Sequence, residues 1–228
     1  MTTPHNREPA LLFLDSADLG EARRAAASGI VSGITTNPSI MALPREAQPG
    51  HLLQLLATFG DGPVFYQLTA RDPGEAEAEV RRVDELIGRY RDRVVFKLPA
   101  QEWFYALGAR LVTAGREVAF TAVYSPGQAL AAAAAGARWL IPYVDRAARL
   151  DPGAGPVVPR LAAVAPPGLR ILAASVKSPE QAVQAVVDGA AGVTTTWPVI
   201  AGLMNHPLTD SAVDAFAEAL DELATSGR

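Results

Sequence analysis

Val94-Val95-Phe96-Lys97-Leu98-Pro99 places one lysine near the end of a run of β-branched and aromatic residues. The chain has 20 basic residues, and all but Lys97 and Lys177 are arginines. Arginine supplies positive charge but cannot form a Schiff base, whereas a lysine amine can once it has lost its proton. A lysine on a buried strand loses hydration, which lowers its pKa and frees the amine to attack a carbonyl. The same placement suits a lysine whose stem lies in the core while its ammonium reaches water or a carboxylate. The residues of this stretch leave both readings open, so the neighbours that the fold brings to Lys97 decide between them.

Apolar runs alternating with helical stretches define those neighbours. Leu11-Leu12-Phe13-Leu14-Asp15 predicts a buried strand, with a helix over 16–27 stopped at Gly29. A strand over 30–35 and a helical region reaching residue 59, broken at Pro44 and Pro49, come next. The strand over 64–68 precedes a helix over 73–90, with Ala76, Val80, Val83, Ile87 and Tyr90 at helical spacing. After the strand of Lys97 come a helix over 101–114, a strand over 118–122 and an alanine-rich helix over 126–135. The strand over 139–144 contains Pro142, which predicts a bulge or an irregular strand end there. No helix is marked directly after it, and a short one is predicted over 157–164. A strand over 171–175, a helix opened by Ser178-Pro179 and a strand over 192–195 complete the alternation. A helical turn over 198–204 and a helix over 209–224, with the stripe Val213, Phe216, Leu220 and Leu223, end the chain.

Strands and helices in strict alternation predict an α/β fold, a single (β/α)8 TIM barrel over residues 10–228 that includes a C-terminal helical extension. Residues 1–9, polar and containing two prolines, predict a loose tail. A doubly wound open sheet is the alternative, but Asp15-Ser16-Ala17-Asp18 stands where a dinucleotide fingerprint would follow the first strand.

Composition narrows the chemistry. The net charge is −4 and the arginines are scattered, so no basic stripe predicts a nucleic-acid or membrane partner. Without cysteine there are no disulfides or thiolate nucleophiles, and His5, His51 and His206 lie too far apart in sequence to predict a metal site. The apolar run over 10–14 is too short for a signal-peptide core, which predicts a cytoplasmic protein acting on small molecules without a metal or other cofactor.

In a barrel the site forms at the carboxyl ends of the strands. Those ends carry Asp15, Thr35 with Asn37, Gln67, Lys97, Thr121, Tyr143 with Arg146, Ser175 and Thr195. Singly, Asp15, Asn37 and Ser39 read as helix caps and Thr121 and Thr195 as strand formers. Together they form a polar ring able to bind hydroxyls and move protons around one amine.

Over nearly its whole length the chain resembles the transaldolase family, in particular the small, fructose-6-phosphate aldolase-like branch. The resemblance is carried by Leu14-Asp15-Ser16-Ala17-Asp18, Gly33-Ile34-Thr35-Thr36-Asn37-Pro38-Ser39-Ile40, Val95-Phe96-Lys97-Leu98-Pro99, Thr121-Ala122-Val123-Tyr124, Pro142-Tyr143-Val144-Asp145-Arg146 and Leu172-Ala173-Ala174-Ser175-Val176-Lys177. It implies that Lys97 forms the Schiff base, that Asp15 transfers protons, and that Thr35 and Asn37 hold the hydroxyls of a ketose donor. It implies further that Gln67, Thr121 and Tyr143 surround the water of imine formation and hydrolysis, and that Arg146, Ser175 and Lys177 bind a phosphate. The chain departs from the family at Ala100-Gln101-Glu102-Trp103-Phe104, read as a loop over the site, after Arg146, and at Thr195-Thr196-Trp197-Pro198.

The leading expectation is a class I aldolase that cleaves or forms a ketose phosphate such as fructose 6-phosphate from dihydroxyacetone and glyceraldehyde 3-phosphate. The alternatives are a transaldolase, which passes the same three-carbon unit between sugar phosphates, and a sugar-phosphate-binding barrel without turnover. Resemblance to the family also implies a homo-oligomer, as large as a decamer of two pentameric rings.

Overall fold

The structure, a computed structural model, describes residues 10–42, 50–60 and 62–226. Eight parallel strands close into a barrel in sequence order. They are β1 (Leu11–Asp15), β2 (Val31–Thr35), β3 (Val64–Gln67), β4 (Val94–Pro99), β5 (Val118–Val123), β6 (Trp139–Pro142), β7 (Arg170–Ala173) and β8 (Gly192–Thr195). The helices are α1 (Leu19–Ser28), α2 (Pro38–Met41), α3 (Gly50–Phe59), α4 (Pro73–Ile87), α5 (Glu102–Thr113), α6 (Pro126–Ala134), α7 (Val144–Leu150), α8 (Val157–Ala162), α9 (Pro179–Val187), α10 (Trp197–Met204) and α11 (Pro207–Ser226). The predicted tail over 1–9 and the breaks at Pro44 and Pro49 lie outside the described residues.

Side chains alternate between the two faces of each strand, and this period divides the core into two layers. On β4, Val94, Phe96 and Leu98 pack outward against the helices, while Val95 packs inward. Lys97 shares the parity of Val95 and therefore enters the barrel. Beneath it Phe13, Phe65 and Trp139 meet edge to face, with centroids 5.5–5.7 Å apart, and fill the interior. Gly33 is required beside this plug: a Cβ there would come 2.7 Å from the Phe13 ring and 2.6 Å from the Pro63 carbonyl.

Four details differ from the sequence reading. β6 ends at Pro142, short of the predicted residue 144 and as one of the two outcomes expected of that proline, while the bulge lies across the ladder on β5. Thr121 pairs with Ile141 and Val123 with Pro142, leaving Ala122 unpaired at φ +57°. One extra residue on β5 absorbs the irregularity, while the Pro142 carbonyl still accepts from the Ala174 N–H at 2.9 Å. Secondly, Ala100–Phe104 is no loop over the site. It covers the turn into α5 and its first residues, with Phe104 buried in the outer core layer and Trp103 packed on that layer. Thirdly, α7 begins directly at the end of β6; it buries no residue, which explains why no apolar stripe marked it. Lastly, Thr194 rather than Thr195 faces the interior of β8. Thr195 Oγ1 instead donates to the Val176 carbonyl at 2.9 Å.

The C-terminal helix α11 is exposed along its described side chains, including Val213 (58%), Phe216 (68%) and Leu220 (65%). The side chain of Leu223 lies outside the described residues. No described helix is long and apolar enough to cross a membrane.

Candidate active site

Parity and register assemble the polar ring at the carboxyl ends of the strands. Asp15 pairs with Thr35 across β1 and β2, Gln67 with Lys97 across β3 and β4, and Pro99 with Thr121 across β4 and β5. Above them opens a cavity of about 1070 Å3, lined among others by Asp15, Asn37, Gln67, Lys97, Tyr143, Arg146, Ser175 and Lys177. Thr35 and Thr121 stand behind this wall, buried, and reach it through hydrogen bonds.

Lys97 is 2% exposed, and its Nζ donates to the Thr36 carbonyl at 3.2 Å. Burial lowers its pKa from the ordinary lysine value, opposed by the charge of Asp15. Burial also raises the Asp15 carboxyl above the usual carboxylate range, against Lys97, the Thr35 hydrogen bond and Lys177. Both shifts favour the uncharged forms, a free amine beside a protonated acid.

Thr35 Oγ1 donates to Asp15 Oδ1 at 2.7 Å and lies 2.6 Å from Thr194 Oγ1. With its own proton used on Asp15, Thr35 accepts from Thr194, giving a relay of hydroxyls behind the carboxylate. The structure thus joins Thr35 to Asp15, whereas the resemblance implied a role in holding donor hydroxyls. Asn37 caps α2, its Oδ1 accepting from the Ile40 N–H at 3.1 Å, and it also lines the cavity.

Across the cavity, Thr121 Oγ1 donates to the Tyr143 hydroxyl at 3.2 Å. Burial pushes the pKa of that phenol up, so it holds its proton at neutral pH. Arg146, from α7, lies 4.7 Å over the Tyr143 ring, which fixes it at the rim. Ser175 follows β7 in the left-handed region, φ +58°. Gln67 Oε1 is buried without a hydrogen-bond partner, an acceptor free for a bound water or substrate group.

The sequence reading missed Thr194, Ser16, Ser39 as a wall residue, Thr196 and Arg24. The last four line the cavity. Thr194 takes the inward parity because Val193, beside it on β8, packs in the outer core layer. Arg24 carried no signal among so many arginines; it lies on α1 with its guanidinium 5.7 Å from the Trp197 ring centroid. Among the described residues no three His, Cys, Asp or Glu side chains form a group that could hold a metal ion.

The family described as Transaldolase/Fructose-6-phosphate aldolase matches residues 12–227. The probable transaldolase of Thermus thermophilus is 33% identical over 219 residues, covering 91% of this chain and 96% of that protein. Those of Roseiflexus sp. and Symbiobacterium thermophilum are 33% and 32% identical, over 90% and 95% of this chain and 94% and 99% of theirs. Among solved structures, a native KDPGal structure superposes with a TM-score of 0.54 at 16% identity, covering 85% of each chain. A mandelate oxidase variant does so at 0.55 and 17% identity, covering 83% of this chain and 64% of that one. At these identities the likeness to solved structures is one of fold.

Proposed function

This chain belongs to the transaldolase/fructose-6-phosphate aldolase family, and on that premise we propose that it is a Schiff-base aldolase that cleaves a ketose phosphate such as fructose 6-phosphate to dihydroxyacetone and glyceraldehyde 3-phosphate, and runs the reverse addition. The observation that carries this reading is the inward, 2% exposed Lys97 in one cavity with the partly buried carboxyl of Asp15. Neutral Lys97 attacks the ketone carbon. Asp15, holding a proton, gives it to the departing hydroxyl, so that water leaves and an iminium forms. The resulting carboxylate then takes the proton of the C4 hydroxyl as the C3–C4 bond breaks, releasing the aldehyde phosphate. Arg146, Ser175 and Lys177 face the cavity from the β6 and β7 side and bind that phosphate.

The enamine left on Lys97 is either protonated and hydrolysed or kept for an acceptor aldehyde. Tyr143 favours the first course, because its phenol lines the cavity and holds a proton, and Gln67 offers an unpartnered acceptor to the hydrolytic water. Transaldolase transfer is the second reading, favoured by the names of the relatives. Borohydride reduction with dihydroxyacetone, followed by peptide mapping, should place one adduct on Lys97. Ketose cleavage without an acceptor should release free dihydroxyacetone. An adduct on Lys177, or none with any donor that is turned over, sinks the mechanism, while turnover only with an acceptor sugar phosphate selects the transferase.

The enzyme is also proposed to be a homo-oligomer, a decamer on the family resemblance. The exposed apolar side chains Val213, Phe216 and Leu220 of α11 support this. Light scattering that finds a monomer at micromolar concentration rejects it.

A further inference from the structure

We propose that Glu79 is a positioning residue that holds Gln67 and the backbone of Lys97 in register from outside the barrel; this rests on the aldolase reading above. Glu79 lies on α4 within the stripe of Ala76, Val80 and Val83, yet it is a carboxylate and only 5% exposed. It accepts from the Tyr66 hydroxyl at 2.9 Å, from the Thr69 N–H at 2.9 Å, from the Ala70 N–H at 3.0 Å and from Thr69 Oγ1 at 3.1 Å. A buried carboxylate costs several kcal/mol in desolvation, about what an ion pair or a full set of donors offsets. Here the donors come from β3 and the turn that follows it, and no described cation pairs with the group within salt-bridge distance.

What that turn touches gives the carboxylate its role. Alternation along β3 sends Tyr66 outward to Glu79 and Gln67 inward to the cavity. Gln67 pairs directly with Lys97, and the Leu68 N–H donates to the Lys97 carbonyl at 3.1 Å. Glu79 therefore grips residues 66, 69 and 70 on one side of the strand, and the segment between them carries Gln67 and is bonded to Lys97. Losing this grip frees the turn, and the unpartnered amide oxygen of Gln67 no longer meets the water that hydrolyses the imine. The expected defect is in ketone release, with ground-state binding of the sugar phosphate intact, since Arg146, Ser175 and Lys177 belong to other strands.

A double-mutant cycle separates positioning from bulk stability. Glu79→Ala should lower kcat for dihydroxyacetone release by about tenfold, with KM falling in parallel and kcat/KM for ketose cleavage changed by less than about twofold, and the loss in kcat should be under about twofold when Gln67→Ala is already present. Glu79→Gln, which keeps an acceptor for Thr69, should retain activity within about threefold. Should Glu79→Ala not fold, Tyr66→Phe, which removes one donor, is cycled against Gln67→Ala with the same expectation of non-additivity. Additive losses, or a tenfold fall in kcat/KM for ketose cleavage, overturn the proposal. Borohydride trapping of dihydroxyacetone on Lys97 in the unmodified protein is the accompanying control. A trapped adduct with an additive cycle sinks this inference alone, whereas no adduct with any donor sinks the aldolase reading and this inference with it.

Discussion

Replacing Thr35 by valine keeps the shape of a fully buried side chain and removes one hydroxyl from the relay Thr194, Thr35, Asp15. A hydrogen bond to a charged group contributes about 1.5–3 kcal/mol, and one pKa unit corresponds to about 1.4 kcal/mol. The Thr35 hydrogen bond lowers the Asp15 pKa against the larger effect of burial, so its loss should raise that pKa further. The free enzyme starts with the proton on Asp15 that dehydration consumes, so the basic limb of kcat/KM for ketose cleavage should move to higher pH. Stability gives an independent sign. The hydrogen bond favours the ionised form, so Thr35→Val costs least while Asp15 is protonated, and the cost grows as pH rises through the Asp15 pKa of the folded protein. The Thr194 hydroxyl also loses its acceptor at any pH, which costs about 1–3 kcal/mol and lowers Tm by several degrees. Initial rates across pH and thermal melts at two pH values measure both. A raised KM with an unshifted pH profile would refute this account and return Thr35 to the role implied by the family resemblance, a holder of donor hydroxyls.

Tyr143→Phe should suppress release of free dihydroxyacetone while borohydride trapping at Lys97 persists, and adding Gln67→Glu should raise transfer to an acceptor aldehyde relative to release; loss of trapping would mean that the phenol acts earlier. Tyr105 has a buried hydroxyl with no hydrogen-bond partner, so Tyr105→Phe should leave activity unchanged and stabilise the fold by about 1 kcal/mol in denaturant titration. Destabilisation there would reveal a partner for the hydroxyl. Phe216→Asp on the exposed stripe of α11 should lower the mass seen by light scattering at micromolar concentration, with the barrel still folded by circular dichroism; an unchanged assembly would move the interface elsewhere.

The barrel was legible because each strand is a short apolar run whose polar residue comes at the end, so Asp15, Gln67, Lys97 and Tyr143 announced themselves by position. Which neighbour faces inward was harder. Thr194 and Thr195 are chemically the same, and only the pairing of β8 with β1, Phe13 opposite Thr194, settles the parity. Pro142 drew the predicted bulge to itself because it lacks an N–H, but the extra residue was taken up across the ladder at Ala122, a relation between strands that no local pattern carries. Ala100–Phe104 read as a loop because its residues depart from the family, although Phe104 fills the outer core. Glu79 was passed over for the opposite reason: a glutamate in a helix normally faces solvent, and its burial follows from the turn that it satisfies.

The aromatic plug of Phe13, Phe65 and Trp139 has a consequence for altering this protein. It occupies the interior below Lys97, so the half of the barrel that holds the fold together is physically separate from the rim that meets the substrate. Substitutions at Arg24, Ser39 or Thr196 change the cavity wall without disturbing those ring contacts, and their effects on stability and on substrate choice should add independently. The rim can therefore be diversified in a library in which most members fold, while the same number of changes in the plug would remove nearly all of them.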